Sequence, residues 1–373
     1  MLLTEAVGKR LLRTAFVPTA DGVVVASEDD LLELGPWQFP VAAKAQVAAG
    51  GRGKSGGVLA CDDDEQLRAA IRKIMSSTFS GEKPSGVLVE PWLTIDRELY
   101  LSVVLDPSAA GYSVLYSPTG GVEIESAGNV VRYRFGHPSD FRGHRLRELL
   151  VTVESDEDVR EHVISFARSL LEIATRYEAT TVEINPLAYT SRRLVAVDAK
   201  VELDDSAEFR QSATAEELAA SHAREDEIAA ACRVARLVFV PLGGSVGLIS
   251  GGAGMTMRAM DAVDEAGGAA AGFLDISNNP TPAGITVALE SLQQLEGVDR
   301  LLISIFGGGL DVGRIAKSLA TLVDSGRVTL PIAFRLSGSG RDAATAHLSE
   351  RGLTNHETLE SAVAELLAKE SVR

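Results

Sequence analysis

The spacing of apolar and polar positions changes character once along the chain, near residue 235, and predicts two differently built parts. In the first, Thr4 to Thr14 carries apolar residues at helical spacing behind Thr4, a suitable N-cap, and Gly22 to Ala26 reads as extended. Glu28 to Leu34 predicts a short helix before Pro36 and Pro40 break the pattern. Phe39 to Ala45 and Gly57 to Ala60 read as strands flanking a glycine-rich turn, and Asp62 opens a helix through Ile74 whose first acids complement the helix dipole. Strands follow at Gly86 to Glu90, Glu98 to Leu105, Ser113 to Tyr116 and Val122 to Glu125. After an amphipathic helix from Val159 to Tyr177, Ala179 to Leu187 and Leu194 to Asp198 form two strands about a turn at Ser191. Both strands carry polar residues at their inner ends, which predicts an α+β region with a ligand between strands.

Beyond Leu237, short apolar runs at Val246 to Ile249, Gly272 to Ile276, Leu301 to Ile305 and Pro331 to Leu336 alternate with helical stretches. Those stretches are Met255 to Ala266, Pro282 to Leu295, Val312 to Val323, Arg341 to Arg351, and Glu357 to the end. Strand and helix in alternation predict a parallel, doubly wound α/β sheet. Each strand empties into a turn of small residues, at Ser250 to Gly254, Ser277 to Pro280, Phe306 to Gly309 and Ser337 to Gly340. Those turns gather at the carboxyl edge of the sheet, where such folds bind ligands, although tight turns also need glycine for geometry alone. The acidic, alanine-rich Ser206 to Ala231 is the predicted connector, giving domains at 1–232 and 233–373.

Composition narrows the partners. A net charge of −16 argues against a nucleic-acid backbone or an anionic membrane as the main partner, so any basic cluster stands out. The opening helix has an early acid in place of a basic n-region, and no apolar run reaches the roughly 18 residues of a membrane span. Cys61 and Cys232 lie far apart and form no metal-type pair, which fits a reduced cytoplasmic compartment.

The basic cluster is Lys44 to Val58, with two lysines, an arginine and five glycines in fifteen residues. Glycines let backbone N–H groups approach an anion, and the cations add charge-assisted hydrogen bonds, so the composition suits a phosphate. Ala48 stands where a Walker A loop needs glycine, and a strand follows where a dinucleotide fingerprint needs a helix. Gly51, Gly53 and Gly56 match the glycine-rich loop of protein kinases, yet no H-R-D or D-F-G accompanies them. What remains is a glycine-rich hairpin closing over a nucleotide.

Taken in order, Gln46 to Gly57, Gly121 to Glu125, Glu183 to Leu187, Val197 to Lys200 leading to Phe209 to Gln211, Gly252 to Met255, Phe273 to Asp275 and Ile305 to Gly308 resemble the β subunit of succinyl-CoA synthetase, an ATP-grasp family. The resemblance implies an ATP-grasp fold followed by a flavodoxin-like domain. It places Lys44, Gly51, Arg52 and Gly53 at the nucleotide phosphates and Glu90, Leu93 and Glu98 along the nucleotide pocket. Asn185 and Asp198 become magnesium ligands, which suits a hard cation. Glu183 is implied to help hold a phosphorylated histidine of a partner α subunit, which also carries the coenzyme A site. None of the six histidines here follows a glycine-rich strand end, so the nucleophile is expected from another chain. Gly251, Gly308, Gly309 and Leu310 fall at the site of a small carboxylic acid, succinate or a relative.

The implied reaction joins that acid to coenzyme A with cleavage of ATP or GTP. Two departures touch the acyl side: Gly251 replaces the family's asparagine, and Ser277 to Pro280 replaces a glycine triplet. The competing readings are a noncatalytic paralogue that binds nucleotide and an α-like partner, and a self-contained ATP-grasp ligase joining an acid to an amine. Lys44→Ala or Asp198→Ala is expected to abolish phosphoryl transfer with the fold kept.

Overall fold

The computed structural model describes residues 1–373 apart from 28, 33–36, 49–54, 80, 122–128, 213–225, 278 and 370–373. The chain divides into two units, Met1–Ser221 and His222–Arg373. The predicted strand Val122 to Glu125 lies outside the described residues, and of the predicted helix Glu28 to Leu34 only a short turn at Asp29–Leu32 is described.

The smaller sheet of the first unit holds β1 (Val23–Val25), β2 (Val41–Ala45), β3 (Val58–Cys61) and β4 (Val87–Pro91), antiparallel in the order β1-β4-β2-β3. After α1 (Glu5–Thr14), the second helix, α2 (Asp64–Ser76), covers one face of this sheet, with Asp63 accepting from the Gln66 N–H as its cap. Leu67, Ile71 and Ile74 on α2 meet Val41, Ala43, Ala45, Val87 and Val89. Because side chains alternate along a strand, the positions between them, Lys44 on β2 and Leu88 and Glu90 on β4, point to the opposite face. That face carries the buried charged side chains Lys44 and Glu90.

The larger antiparallel sheet runs β10-β8-β5-β6-β7, from β5 (Arg97–Asp106), β6 (Gly111–Ser117), β7 (Val131–Gly136), β8 (Ala179–Thr190) and β10 (Lys200–Leu203), with β9 (Arg193–Ala196) paired to β8. Short α3 (Gly143–Leu150) precedes α4 (Glu157–Arg176), which lays Val163, Phe166, Ala167 and Leu170 into one core with Leu99, Leu101, Val182 and Ile184. Each such large side chain, fully buried, contributes about 1.5–3 kcal/mol. Along β8 the alternation puts Val182 and Ile184 in that core and leaves Glu183 and Asn185 half-buried on the other side.

Beside this core, Glu154 accepts hydrogen bonds from Arg97 Nη2 at 2.6 Å, Tyr116 Oη at 2.7 Å and the Asp156 N–H at 3.0 Å. Burial pushes its carboxyl up, but these donors outweigh burial and hold it below the ordinary value of 4.5. A lowered folded pKa gives stability that is full above the unfolded value and lost as pH falls through the folded one. Glu154→Gln is therefore expected to cost about 2 kcal/mol at pH 7, as hydrogen bonds to a charged group do. In thermal melts the gap between parent and variant should close as pH falls below about 4.5; a gap independent of pH would show that the Glu154 charge is not what stabilises this corner.

In the second unit α5 (Glu227–Val234) comes first, capped by Asp226, with Cys232 buried in the core. The stretch predicted as a connector thus ends as a packed helix, because Cys232 and Ile228 share one face with Leu237 behind them. The sheet follows as β11 (Val238–Pro241), β12 (Val246–Ser250), β13 (Ala270–Asp275), β14 (Arg300–Gly307) and β15 (Ile332–Gly338), in the order β11-β13-β12-β14-β15. Four strands are parallel and β11 runs antiparallel on the edge. Leaving β11 aside, the parallel order is 2-1-3-4, as in flavodoxin-like sheets. Helices α6 (Ala253–Glu265) and α10 (Leu359–Ala368) cover one face; α7 (Pro282–Gln294) and α8 (Val312–Asp324) cover the other, while α9 (Arg341–Ser349) packs on α8. No helix among the described residues is long and apolar enough to cross a membrane.

Candidate functional site

Lys44 leaves β2 on the face away from α2 and is buried, yet it is surrounded by partners. Its ammonium lies 3.0 Å from Glu5 Oε1 and 2.6 Å from Glu90 Oε1, and donates to the Val197 carbonyl at 2.7 Å. Lys9 pairs with the same two carboxylates, at 2.8 Å from Glu5 and 2.5 Å from Glu90. Burial pushes the Lys44 ammonium down, but Glu5, Glu90 and Asp198 outweigh burial and hold it above its ordinary value. Glu90, expected along the nucleotide pocket, directs its carboxylate into this quartet. Gln46 fastens α1 to β2, accepting from the Ala6 N–H at 2.9 Å and donating to the Lys44 carbonyl at 3.2 Å.

Glu5 and Lys9 are the residues that sequence reasoning missed. Their signal was present: positions 5, 9 and 12 share one stripe of an amphipathic helix, so an E-x-x-x-K pair continued by Leu12 faces inward.

The second group sits where the β8 ladder changes partner. Leu187 stands opposite Ala196 on β9 and Glu183 opposite Lys200 on β10, so the same register carried through the gap sets Asn185 across from Asp198. The backbone holds the gap through the Val197 N–H to the Pro186 carbonyl at 3.1 Å, and the Asn185–Pro186 peptide is cis. The Asn185 amide is fixed by Gly121, accepting from its N–H and donating to its carbonyl, each at 3.0 Å. Asp198, half-buried, accepts from the Ala199 N–H at 2.7 Å.

These two residues fit magnesium: both offer hard oxygens, one is charged, and the fixed Asn185 Oδ1 retains a second lone pair. No cluster of three or more His, Cys, Asp or Glu among the described residues could hold a metal alone, so an ion here would draw its remaining ligands from phosphate and water. Two residues from Asn185, Glu183 receives the Tyr100 hydroxyl at 3.5 Å; burial pushes its carboxyl up against the pull of Lys200.

The structure thus brings Lys44, Asn185, Asp198 and Glu183 to one neighbourhood, linked through Val197. Gly51, Arg52 and Gly53 lie outside the described residues. Leu93 is half-buried, and Glu98 is exposed with its carbonyl accepting the Gly120 N–H at 2.6 Å.

In the second unit, β12 and β14 are neighbours while β13 lies on the other side of β12, so the chain reverses direction across the sheet between β12 and β14. Doubly wound sheets bind ligands at such a point. Gly251 follows β12 and Gly308, Gly309 and Leu310 follow β14, so the predicted acyl residues converge here. A Cβ on Gly251 would meet Ile305 and Leu310 only at 3.5 Å, and one on Gly309 would meet nothing within 4 Å. Gly251 is therefore not required by crowding. A cavity of about 850 Å³ opens beside Gly309 and Leu310, bordered by Thr281, Pro282, Arg314 and Lys317.

Asp275 ties the two neighbouring turns together, accepting from the Gly252 N–H at 2.9 Å and the Ser277 N–H at 2.8 Å. In the turn where the family has glycines, Asn279 donates to the Ala235 carbonyl at 2.8 Å and accepts from Thr281, which caps α7. That turn is anchored by side chains instead of being left open.

Known proteins match both units. A family model for the ATP-grasp domain matches residues 2–189, and one for the CoA-ligase domain matches residues 249–370. The chain is 32% identical to the succinate--CoA ligase [ADP-forming] subunit beta of Halobacterium salinarum, an alignment covering 97% of each. Proteins of the same name from Ignicoccus hospitalis and Rubrobacter xylanophilus are each 32% identical, over 98% and 97% of this chain and 98% and 96% of theirs. Among solved structures, ATP citrate lyase from Methanothrix soehngenii in complex with citrate and coenzyme A shares the fold, with a TM-score of 0.71 at 20% identity over 94% of this chain and 93% of that one.

Proposed function

Because this chain belongs to the family of succinate–CoA ligase β subunits, an ATP-grasp and CoA-ligase family of enzymes, we propose that it binds a magnesium nucleotide and supports phosphoryl transfer, through a phosphohistidine on an α-type partner chain, to a carboxylic acid that then becomes a coenzyme A thioester. The observation that carries this reading is the convergence of Lys44, Asn185, Asp198 and Glu183 about Val197.

A thiol cannot displace an oxygen anion from a carboxylate, so the acid must first become an acyl phosphate; passing the phosphoryl group through a histidine divides that work into easier steps. Magnesium, held by Asp198 and Asn185, would neutralise phosphate charge. Lys44 supplies a cation at the same place, and phosphoryl transfer depends on positioning and charge more than on covalent chemistry. Glu183 can orient a partner imidazole and favour its protonated form. The relatives are named as ADP-forming, which makes ATP the nucleotide of choice. Two free, buried cysteines fit the reduced cytoplasm.

On the acyl side, Gly251, Gly308, Gly309 and Leu310 form the acid site, and the missing side chain at Gly251 selects an acid other than succinate. Since a Cβ there meets Ile305 and Leu310 without overlap, Gly251→Asn is expected to be accommodated. It should shift the ratio of kcat/KM toward succinate by about 10- to 100-fold, the scale of one polar contact to substrate. An acid panel run on parent and variant checks this, and an unchanged ratio would remove Gly251 from the acid site.

The function itself is tested by mixing the chain with its α-type partner, magnesium and γ-labelled ATP. An acid-labile, base-stable label on the partner, discharged by coenzyme A and one acid, is the expected result. A tight complex that binds nucleotide without label would make the chain a noncatalytic paralogue.

A further inference from the structure

The buried quartet contains more charge than phosphate binding needs. All three ammonium protons of Lys44 are taken, by Glu5, Glu90 and the Val197 carbonyl, so a contact to phosphate requires at least one of them to be given up. Glu5 and Glu90 are each about 1% exposed, and a carboxylate abandoned there without a cation is strongly disfavoured. Lys9 removes that obstacle, since it already touches the same two carboxylates, sharing Glu5 Oε1 with Lys44 and taking the other oxygen of Glu90. We infer that Glu5 and Lys9 are positioning residues for Lys44: Lys9 keeps Glu5 and Glu90 neutralised while Lys44 turns between them and the nucleotide. This rests on the reading of Lys44 as a phosphate contact.

A plainer role would be to fasten α1 to the sheet, but α1 is fastened independently. Gln46 bonds Ala6, and Leu11 and Leu12 lie in the core of the larger sheet. The two roles differ in sign. Without Lys9, Lys44 alone balances the two carboxylates of the quartet, which becomes net negative; without the Glu5 charge, Glu90 is the one quartet carboxylate left on Lys44, and the quartet becomes net positive. A fastening role makes both losses act in one direction.

The test is ATP binding by calorimetry in excess magnesium on the full chain, with thermal melts alongside. Lys9→Met is expected to raise the Kd for ATP at least about tenfold, whereas Glu5→Gln should lower it by about threefold, although both variants melt earlier. Lys9→Arg, which keeps the charge, should stay within about threefold of the parent. The charge-balanced double variant Glu5→Gln/Lys9→Met covers the case in which Lys9→Met alone does not fold; it too should bind ATP within about threefold of the parent. Kd shifts of the same sign in both single variants, no shift in either, or a double variant that binds as weakly as Lys44→Met would overturn the inference. If Lys44→Met itself binds ATP like the parent, the phosphate reading of Lys44 fails, and that result is separate from the others.

Discussion

Lys44→Met is expected to cut phosphoryl transfer from ATP by about 10³-fold or more, the scale on which a single cation acts on a transferring phosphoryl group. The variant also leaves Glu5 and Glu90 sharing one lysine in a buried place. Breaking a buried ion pair from one side costs about 3–5 kcal/mol, so the melting temperature should fall as well. The sequence-based expectation that the fold would be untouched is revised by this quartet. Transfer must therefore be compared at a temperature where circular dichroism shows the variant folded. Lys44→Arg separates the two effects: it keeps the charge and most of the stability, but a planar guanidinium cannot follow the path of a compact ammonium between carboxylates and phosphate. Its transfer should stay at least about tenfold below the parent. Folded Lys44→Met that transfers at the parental rate would show that the phosphates are held elsewhere.

How much of this could be read from the chain depended on where each residue's partners lie in sequence. The parallel sheet of the second unit was legible because its strands are buried on both faces, as at Val246 to Ser250, and glycines punctuate them. The strands at Val131–Gly136 and Lys200–Leu203 were missed because each is short and half-exposed, with arginine, lysine or glutamate at alternate positions that also suits a polar loop. Helix α5 was hidden by acidic, alanine-rich composition; the contact of Cys232 with the core is what fixes it.

At the candidate site, the sequence marks Asn185 and Asp198 as oxygen donors at strand ends, but that they face each other depends on a ladder that passes from β9 to β10. Lys44 was expected to reach for phosphate. Its engagement with Glu5, 39 residues away, is a tertiary fact that no local pattern could carry, although the inward stripe of α1 announced a buried charge.

Asp198→Asn is expected to separate charge from structure at the second group. The amide keeps an oxygen that can accept from the Ala199 N–H, so stability should change by no more than about 1 kcal/mol, the net worth of one such bond. What disappears is a negative charge facing Asn185 and lying close enough to help hold the Lys44 ammonium above its ordinary value. A magnesium ion held by Asn185 and Asp198 would lose the charged member of that pair. Phosphoryl transfer at fixed magnesium should therefore fall by about 10²- to 10³-fold, and raising magnesium should recover part of the loss. Asn185→Ala provides the contrast: it removes both contacts to Gly121 and should loosen that turn as well as weaken magnesium dependence. Rates measured across a magnesium series at constant ATP decide the matter. If both variants follow the parental curve, Asn185 and Asp198 are turn residues, and the metal, with the phosphates it accompanies, must be sought on another face of the sheet.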